Sequence, residues 1–210
     1  MEKITDRAAN PFGLDIPCAE IGGRGDPVPG YGDPNGDFHA VGDHPGRHGG
    51  ARTGVPFTGC SAGRALQAVF HEHGFAAESY ADRPEYDDLY TSYLYPCLPA
   101  TEDPTGPDYD AAERYVDAEL RAVNAHVLVP IGERPVRRVL ANYTSHGEKL
   151  DDATMEALHA RELRGTGFMV VPVKDPTEWS ESDRSRLDET LGAVLASDYR
   201  QTKGVATRIG

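Results

Sequence analysis

Long apolar runs, lysine and cysteine are all scarce in this chain of 210 residues, and each scarcity excludes something. The apolar stretches at 127–131 and 168–173 are far shorter than the ~20 residues a membrane-crossing helix needs, so no such span is expected. The first ten residues are charged and lack the apolar centre of an export signal, which leaves a cytoplasmic location as the expectation. Cys18, Cys60 and Cys97 are odd in number, scattered, and include no CxxC pair; neither a disulfide framework nor a thiolate metal site follows, and the thiols are expected to stay reduced. Basic residues number 21 against 34 acidic ones, and the lysines are only Lys3, Lys149, Lys174 and Lys203. A net charge of −13 argues at first against nucleic acid, whose affinity comes largely from Lys and Arg at phosphates. A carboxylate-rich, lysine-poor surface also suits concentrated salt, where a Debye length of ~3 Å leaves local contacts dominant. The charge therefore does not exclude DNA.

What is present is enough chain for one compact domain, 1–210, with its own core. Residues 10–37 are dense in Gly, Pro and Asp and read as an irregular arm, with 1–37 as the whole arm. Short buried strands are expected at 38–41, 89–95, 127–131 and 168–173. Between and after them lie helical patterns at 61–73 (Ser61 as N-cap), 110–123, 135–140 and 182–195, and a polar tail, 199–210, is expected to be disordered. This alternation predicts an α/β fold: a three-layer α/β/α sandwich around a mainly parallel four-stranded sheet, with ligand-binding loops at the strands' carboxyl ends.

Two polar turns fall at such ends, Gly42-Asp43-His44-Pro45-Gly46 and Lys174-Asp175-Pro176. After the first come Gly54-Val55-Pro56-Phe57-Thr58-Gly59, Ala62-Gly63-Arg64-Ala65-Leu66, Tyr95-Pro96-Cys97-Leu98-Pro99 and Val127-Leu128-Val129-Pro130-Ile131-Gly132. In order and spacing these segments resemble the uracil-DNA glycosylase superfamily, above all its iron-sulfur classes, as a divergent member of haloarchaeal type. The resemblance covers about half of the chain, from Gly42 to Leu140.

The resemblance implies a hydrolase that cuts the N-glycosidic bond of uracil or a related deaminated base in DNA. Such chemistry needs a flipped base held by stacking and edge contacts, a polar group facing the cation-like sugar, and a donor for the departing base. It implies Asp43 and His44 as catalytic, with Gly42, Phe57, Tyr93 and Asp175 around the base. Pro45, Gly46, Arg47, Arg52, Lys174 and Pro176 would meet DNA. Tyr93 stands where the family carries a base-reading Asn, and Asp175 where it carries the His of a His-Pro pair. The cluster is expected to be absent: it needs four thiolates, only Cys18 and Cys97 lie near ligand positions, and a third position falls near Ala112. No other cofactor is implied, and the partner is damaged DNA met by a monomer.

Plainer readings stand beside these. Phe57 is equally a core residue by type. His39, His44, His48, His71 and His73 lack any HExxH or Cys-His pattern, so no metal is expected. Arg64, with Arg47 and Arg52, places positive charge near the expected mouth and is a candidate for phosphate contact, whereas Arg134, Arg137 and Arg138 are equally candidates for helix ends or surface carboxylates. A member that binds a nucleobase, nucleotide or damaged DNA without catalysis, and a hydrolase of small N-glycosides, remain alternatives.

Overall fold

The computed structural model describes residues 8–144, 152–164 and 167–202. Strands are β1 (Gly23–Arg24), β2 (Tyr31–Gly32), β3 (Phe38–Gly42), β4 (Leu89–Tyr93), β5 (Leu98–Pro99), β6 (Val127–Pro130), β7 (Leu163–Arg164) and β8 (Met169–Val170). Helices are α1 (Pro45–His48), α2 (Ser61–Glu72), α3 (Gly106–Val123), α4 (Glu133–Tyr143), α5 (Met155–Leu158) and α6 (Glu181–Ala196).

The main sheet has the order β2-β4-β3-β6-β8-β7. Its middle, β4-β3-β6-β8, is parallel, and the four strands expected from sequence are these. Two further two-residue strands, β2 and β7, pair antiparallel at the edges and make six. They are too short to show a period-2 pattern, which is why sequence does not reveal them.

Continuous apolar runs become buried strands because helices cover both faces. Alternation sorts their side chains: Phe38, Ala40, Val127 and Val129 join Leu66, Val69 and Phe70 of α2 and Leu187, Leu191 and Val194 of α6. On the opposite face Val41 packs with Tyr109, Ala112 and Val116 of α3, and Leu128 with Val136, Val139 and Leu140 of α4. The sandwich is thus three-layered.

Several boundaries differ from expectation for local reasons. Helix α3 begins four residues earlier than expected because Thr105 and Asp108 form a capping box ahead of Pro107. The N-cap of α2 is Cys60, whose sulfur accepts from Gly63 N at 3.3 Å, rather than Ser61. The apolar run 168–173 contributes only Met169–Val170 to the ladder, because Pro172 has no N–H to donate; Val173 then forms a single bridge to Ile131.

The described part of the Gly/Pro arm is not merely irregular. It contributes β2 to the sheet, and β1 pairs with β5. It is also pinned covalently: Cys18 and Cys97 form a disulfide across 79 residues, which corrects the expectation of reduced thiols. Gly23 permits the approach, since a Cβ there would lie 2.7 Å from the Cys97 Cβ. Nor is the start of the tail disordered: Tyr199–Thr202 is a 3-10 turn, with the Tyr199 ring against Phe38. Residues 203–210 lie outside the described residues.

Candidate active site

The parallel strands β3, β4, β6 and β8 deliver their carboxyl ends to one rim, where a doubly covered sheet binds ligands. A cleft of about 350 Å³ opens there, lined by Asp43, Arg47, Glu133, Arg134 and Arg137.

Asp43 follows the last residue of β3 and is 2 % exposed. Its Oδ1 accepts the Tyr109 hydroxyl hydrogen from α3, and its Oδ2 accepts from Arg134 Nη1 of α4 at 3.0 Å. Arg134 Nη1 also lies 2.7 Å from the Tyr109 oxygen, and its guanidinium stacks 4.9 Å over that ring. Burial, then the Asp43 charge, pushes the Tyr109 hydroxyl well above the usual tyrosine range, so it remains a donor.

His44 caps the short α1 with extended backbone, and Pro45 opens that turn. Its Nε2 lies 3.1 Å from Asp103 Oδ1, while its buried Nδ1 has no hydrogen-bond partner among the described residues. Burial lowers its pKa, with Asp43 and Asp103 opposing. Gly46 keeps the turn close: a Cβ there would sit 3.0 Å from that Nδ1.

His48, fully buried at the end of α1, joins two strand-end loops. Its Nδ1 accepts the Asp43 N–H at 3.0 Å, and its Nε2 lies 3.4 Å from Asp175 Oδ2, an ion-pair separation longer than a good hydrogen bond. Asp175 follows β8 and is 5 % exposed. Its Oδ2 accepts from Arg47 Nε at 2.7 Å, and its Oδ1 from Thr177 N and Oγ1 at 3.0 and 2.7 Å. Burial alone would raise this carboxyl, but the His48 ring and the Thr177 donors outweigh it and hold it well below the usual carboxylate range.

Beneath these lies an aromatic floor. Phe57 has φ +56°, a left-handed conformation costly for an aromatic residue, and its ring is wholly buried. The ring stands edge-on to Tyr93 at 5.2 Å and tilted on His48 at 5.7 Å. Gly42 makes room for both, since a Cβ there would come within 2.7 Å of Phe57 and 2.8 Å of Tyr93. The Tyr93 oxygen accepts from Phe57 N at 2.7 Å and lies 3.0 Å from both His48 O and Gly49 O. Its hydroxyl is thus held by the backbone of the loop.

The fold therefore gathers Gly42, Asp43, His44, Pro45, Gly46, Arg47, Phe57, Tyr93 and Asp175. Two expected DNA contacts are placed otherwise. Arg52 pairs with Asp82 at 2.6 Å on an exposed loop, and the Lys174 ammonium lies between Glu156 and Asp183 at 2.8 and 3.0 Å. Pro176 is buried in a 3-10 turn capped by Asp175. Sequence reading missed Tyr109, Asp103 and the structural part of His48, and left Arg134 undecided. Arg134 carried one signal, its place at the start of a helix just after a buried strand. Tyr109 carried none, because its helical spacing matches a core position.

An iron-sulfur cluster does not fit these residues: Cys18 and Cys97 are joined to each other, position 112 is Ala, and the free Cys60 caps α2. Among the described residues no group of three or more His, Cys, Asp or Glu is placed to hold a metal ion.

Residues 29–192 match the family model described as the uracil DNA glycosylase superfamily. The chain is 34% identical over 121 residues to a type-5 uracil-DNA glycosylase of Thermus thermophilus, covering 56% of this chain and 55% of that protein. It is 30% identical over 176 residues to one from Pyrobaculum aerophilum, covering 81% of this chain and 74% of the relative. A third, from Mycobacterium leprae, is 31% identical over 107 residues, 47% of its length. The matched part thus spans about half of the Thermus and Mycobacterium relatives and three quarters of the Pyrobaculum one.

Proposed function

The chain belongs to the uracil DNA glycosylase superfamily, and from that premise and its site geometry we propose that it excises uracil or a related deaminated base from DNA by hydrolysis. The observation that carries the reading is Asp43, a buried carboxylate at the mouth of the cleft, gripped by Tyr109 and Arg134. Breaking the bond between C1′ and the base leaves positive charge on the sugar. A fixed carboxylate stabilises that charge without reorganising, and its remaining lone pairs orient the attacking water. His44, braced by Asp103, flanks the same turn, while Pro45 and Gly46 let the backbone approach DNA. Phe57 has no exposed ring surface, so it stacks on a base only if its loop moves.

The partner is DNA that carries the damaged base. Among the described residues no helix is long and apolar enough to cross a membrane. We read the protein as a cytoplasmic monomer, with its charge of −13 suited to concentrated salt, where the arginines at the cleft outweigh the acidic whole.

The test is release of free base from single- and double-stranded oligonucleotides containing uracil, from low to multimolar potassium chloride. Asp43→Asn and Phe57→Ala are assayed beside the parent. Release that fails in Asp43→Asn supports the reading. A folded parent that releases nothing at any salt overturns it, and retained binding to uracil-containing DNA would then favour recognition without catalysis. The closed Tyr93 hydroxyl and the acceptor-only Asp175 are the features that fit this second reading.

A further inference from the structure

We propose that Arg47 is a catalytic residue whose terminal nitrogens donate to a carbonyl oxygen of the departing base and stabilise the negative charge left there. This rests on the glycosylase reading and adds the group that faces the leaving base.

The argument starts from Asp175. An ionised carboxylate donates nothing, and both of its oxygens are already occupied, Oδ1 by Thr177 and Oδ2 by Arg47. Its place in the geometry is to hold Arg47. The bond runs to Nε at 2.7 Å, which fixes the plane of the guanidinium and leaves Nη1 and Nη2 without hydrogen-bond partners among the described residues. The Arg47 side chain is 42% exposed, and it lines the same cleft as Asp43.

The other donor side chains near the cleft each hold a protein partner. Tyr109 gives its hydrogen to Asp43, and Arg134 is drawn to that same acid, its Nη1 serving both Asp43 and Tyr109. Arg137 Nη2 donates to Ala153 O at 2.5 Å, and His44 Nε2 faces Asp103. The stretch that leads from the end of β3 into α1 therefore sets opposite charges on the cleft, Asp43 for the cation-like sugar and Arg47 for the anionic base. A guanidinium stays charged at every working pH and presents a planar pair of donors.

In the step, the bond between C1′ and the base nitrogen breaks and both electrons leave on the base, spread into its carbonyl oxygens. The water oxygen bonds C1′, and the proton that water loses ends on the base. Arg47 keeps its own protons throughout, acting only through hydrogen bonds.

The experiment measures single-turnover release from duplexes containing 2′-deoxyuridine or 5-fluoro-2′-deoxyuridine, using the full chain as parent, Arg47→Gln, Arg47→Lys and Asp175→Asn. Fluorine makes the departing base more acidic, so it needs less help. Arg47→Gln should slow uracil release by roughly 100- to 1,000-fold, the usual cost of losing one preorganised donor. It should slow fluorouracil release far less, while DNA affinity changes only a few-fold; Arg47→Lys should keep part of the rate. Asp175→Asn should shift the same ratio in the same direction, because it loosens Arg47. Equal slowing of both substrates, or weaker DNA binding with unchanged release, would overturn the proposal and make Arg47 a backbone contact. A parent that releases neither base overturns the glycosylase reading as well. Melting temperatures of the variants separate either result from misfolding.

Discussion

Tyr109 donates its hydroxyl hydrogen to Asp43 across 66 residues of chain, so the acid that ends strand β3 is oriented by the first turns of helix α3. Neither residue reaches the other through local structure; the contact exists because α3 packs on the face of the sheet where Val41 points.

Removing that hydroxyl should therefore impair the site without emptying it. Hydrogen bonds to charged groups contribute about 1.5–3 kcal/mol, so Tyr109→Phe should slow base release by roughly 10- to 100-fold. Single-turnover assays at fixed salt measure it. A folded variant as fast as the parent would show that Arg134 alone positions Asp43.

The Cys18–Cys97 disulfide closes a long loop and should stabilise the fold chiefly by restricting the unfolded chain. Cys18→Ser is expected to lose about 2–5 kcal/mol in urea denaturation, and thiol reduction of the unfolded parent to have a like effect on refolding. Intact mass before and after alkylation tells whether the bond is formed. A parent that takes up label at all three cysteines under non-reducing conditions would contradict it.

Stability should fall as pH rises from about 4.5 to about 7 through one group, Glu119. Its Oε1 accepts from Gly30 N at 2.9 Å and from Tyr90 Oη at 3.0 Å. Burial nonetheless raises its pKa to about 7 against the donors Tyr90, Gly30 and Ser92. Because the folded state holds the proton more tightly than the unfolded one, the contribution is complete below the unfolded value. It is lost through the folded one, by about 3 kcal/mol in all. Urea midpoints across that range, parent against Glu119→Gln, isolate the effect. The same pH slope in both proteins would refute it.

Tyr93→Phe should leave the Phe57 N–H buried without its acceptor. The expected cost is about 1–3 kcal/mol, with faster hydrogen exchange at that amide as its local signature. Unchanged exchange would mean that the loop finds another acceptor.

How far the sequence could be read varied with the distance over which each feature is decided. The apolar runs of β3 and β6 and the spacing of Leu66, Val69 and Phe70 are local patterns, and they placed the buried strands, the covering helices and the turns at the rim. Capping residues are local as well: the Thr105 and Asp108 pair shows where α3 begins once it is sought. The two edge strands, of two residues each, were below the length at which a period can be seen.

By itself, then, the sequence determined the parallel α/β core and the placing of Asp43, His44 and Asp175 at strand ends, because short-range periodicity and turn chemistry specify them, while its ordered motifs carried the family resemblance. Only the tertiary structure decided that Tyr109 and Arg134 grip Asp43, that Asp175 anchors Arg47, and that Cys18 meets Cys97. Those pairings join residues dozens of positions apart. Their partners are selected by how helices and loops pack on the sheet, which no local pattern encodes.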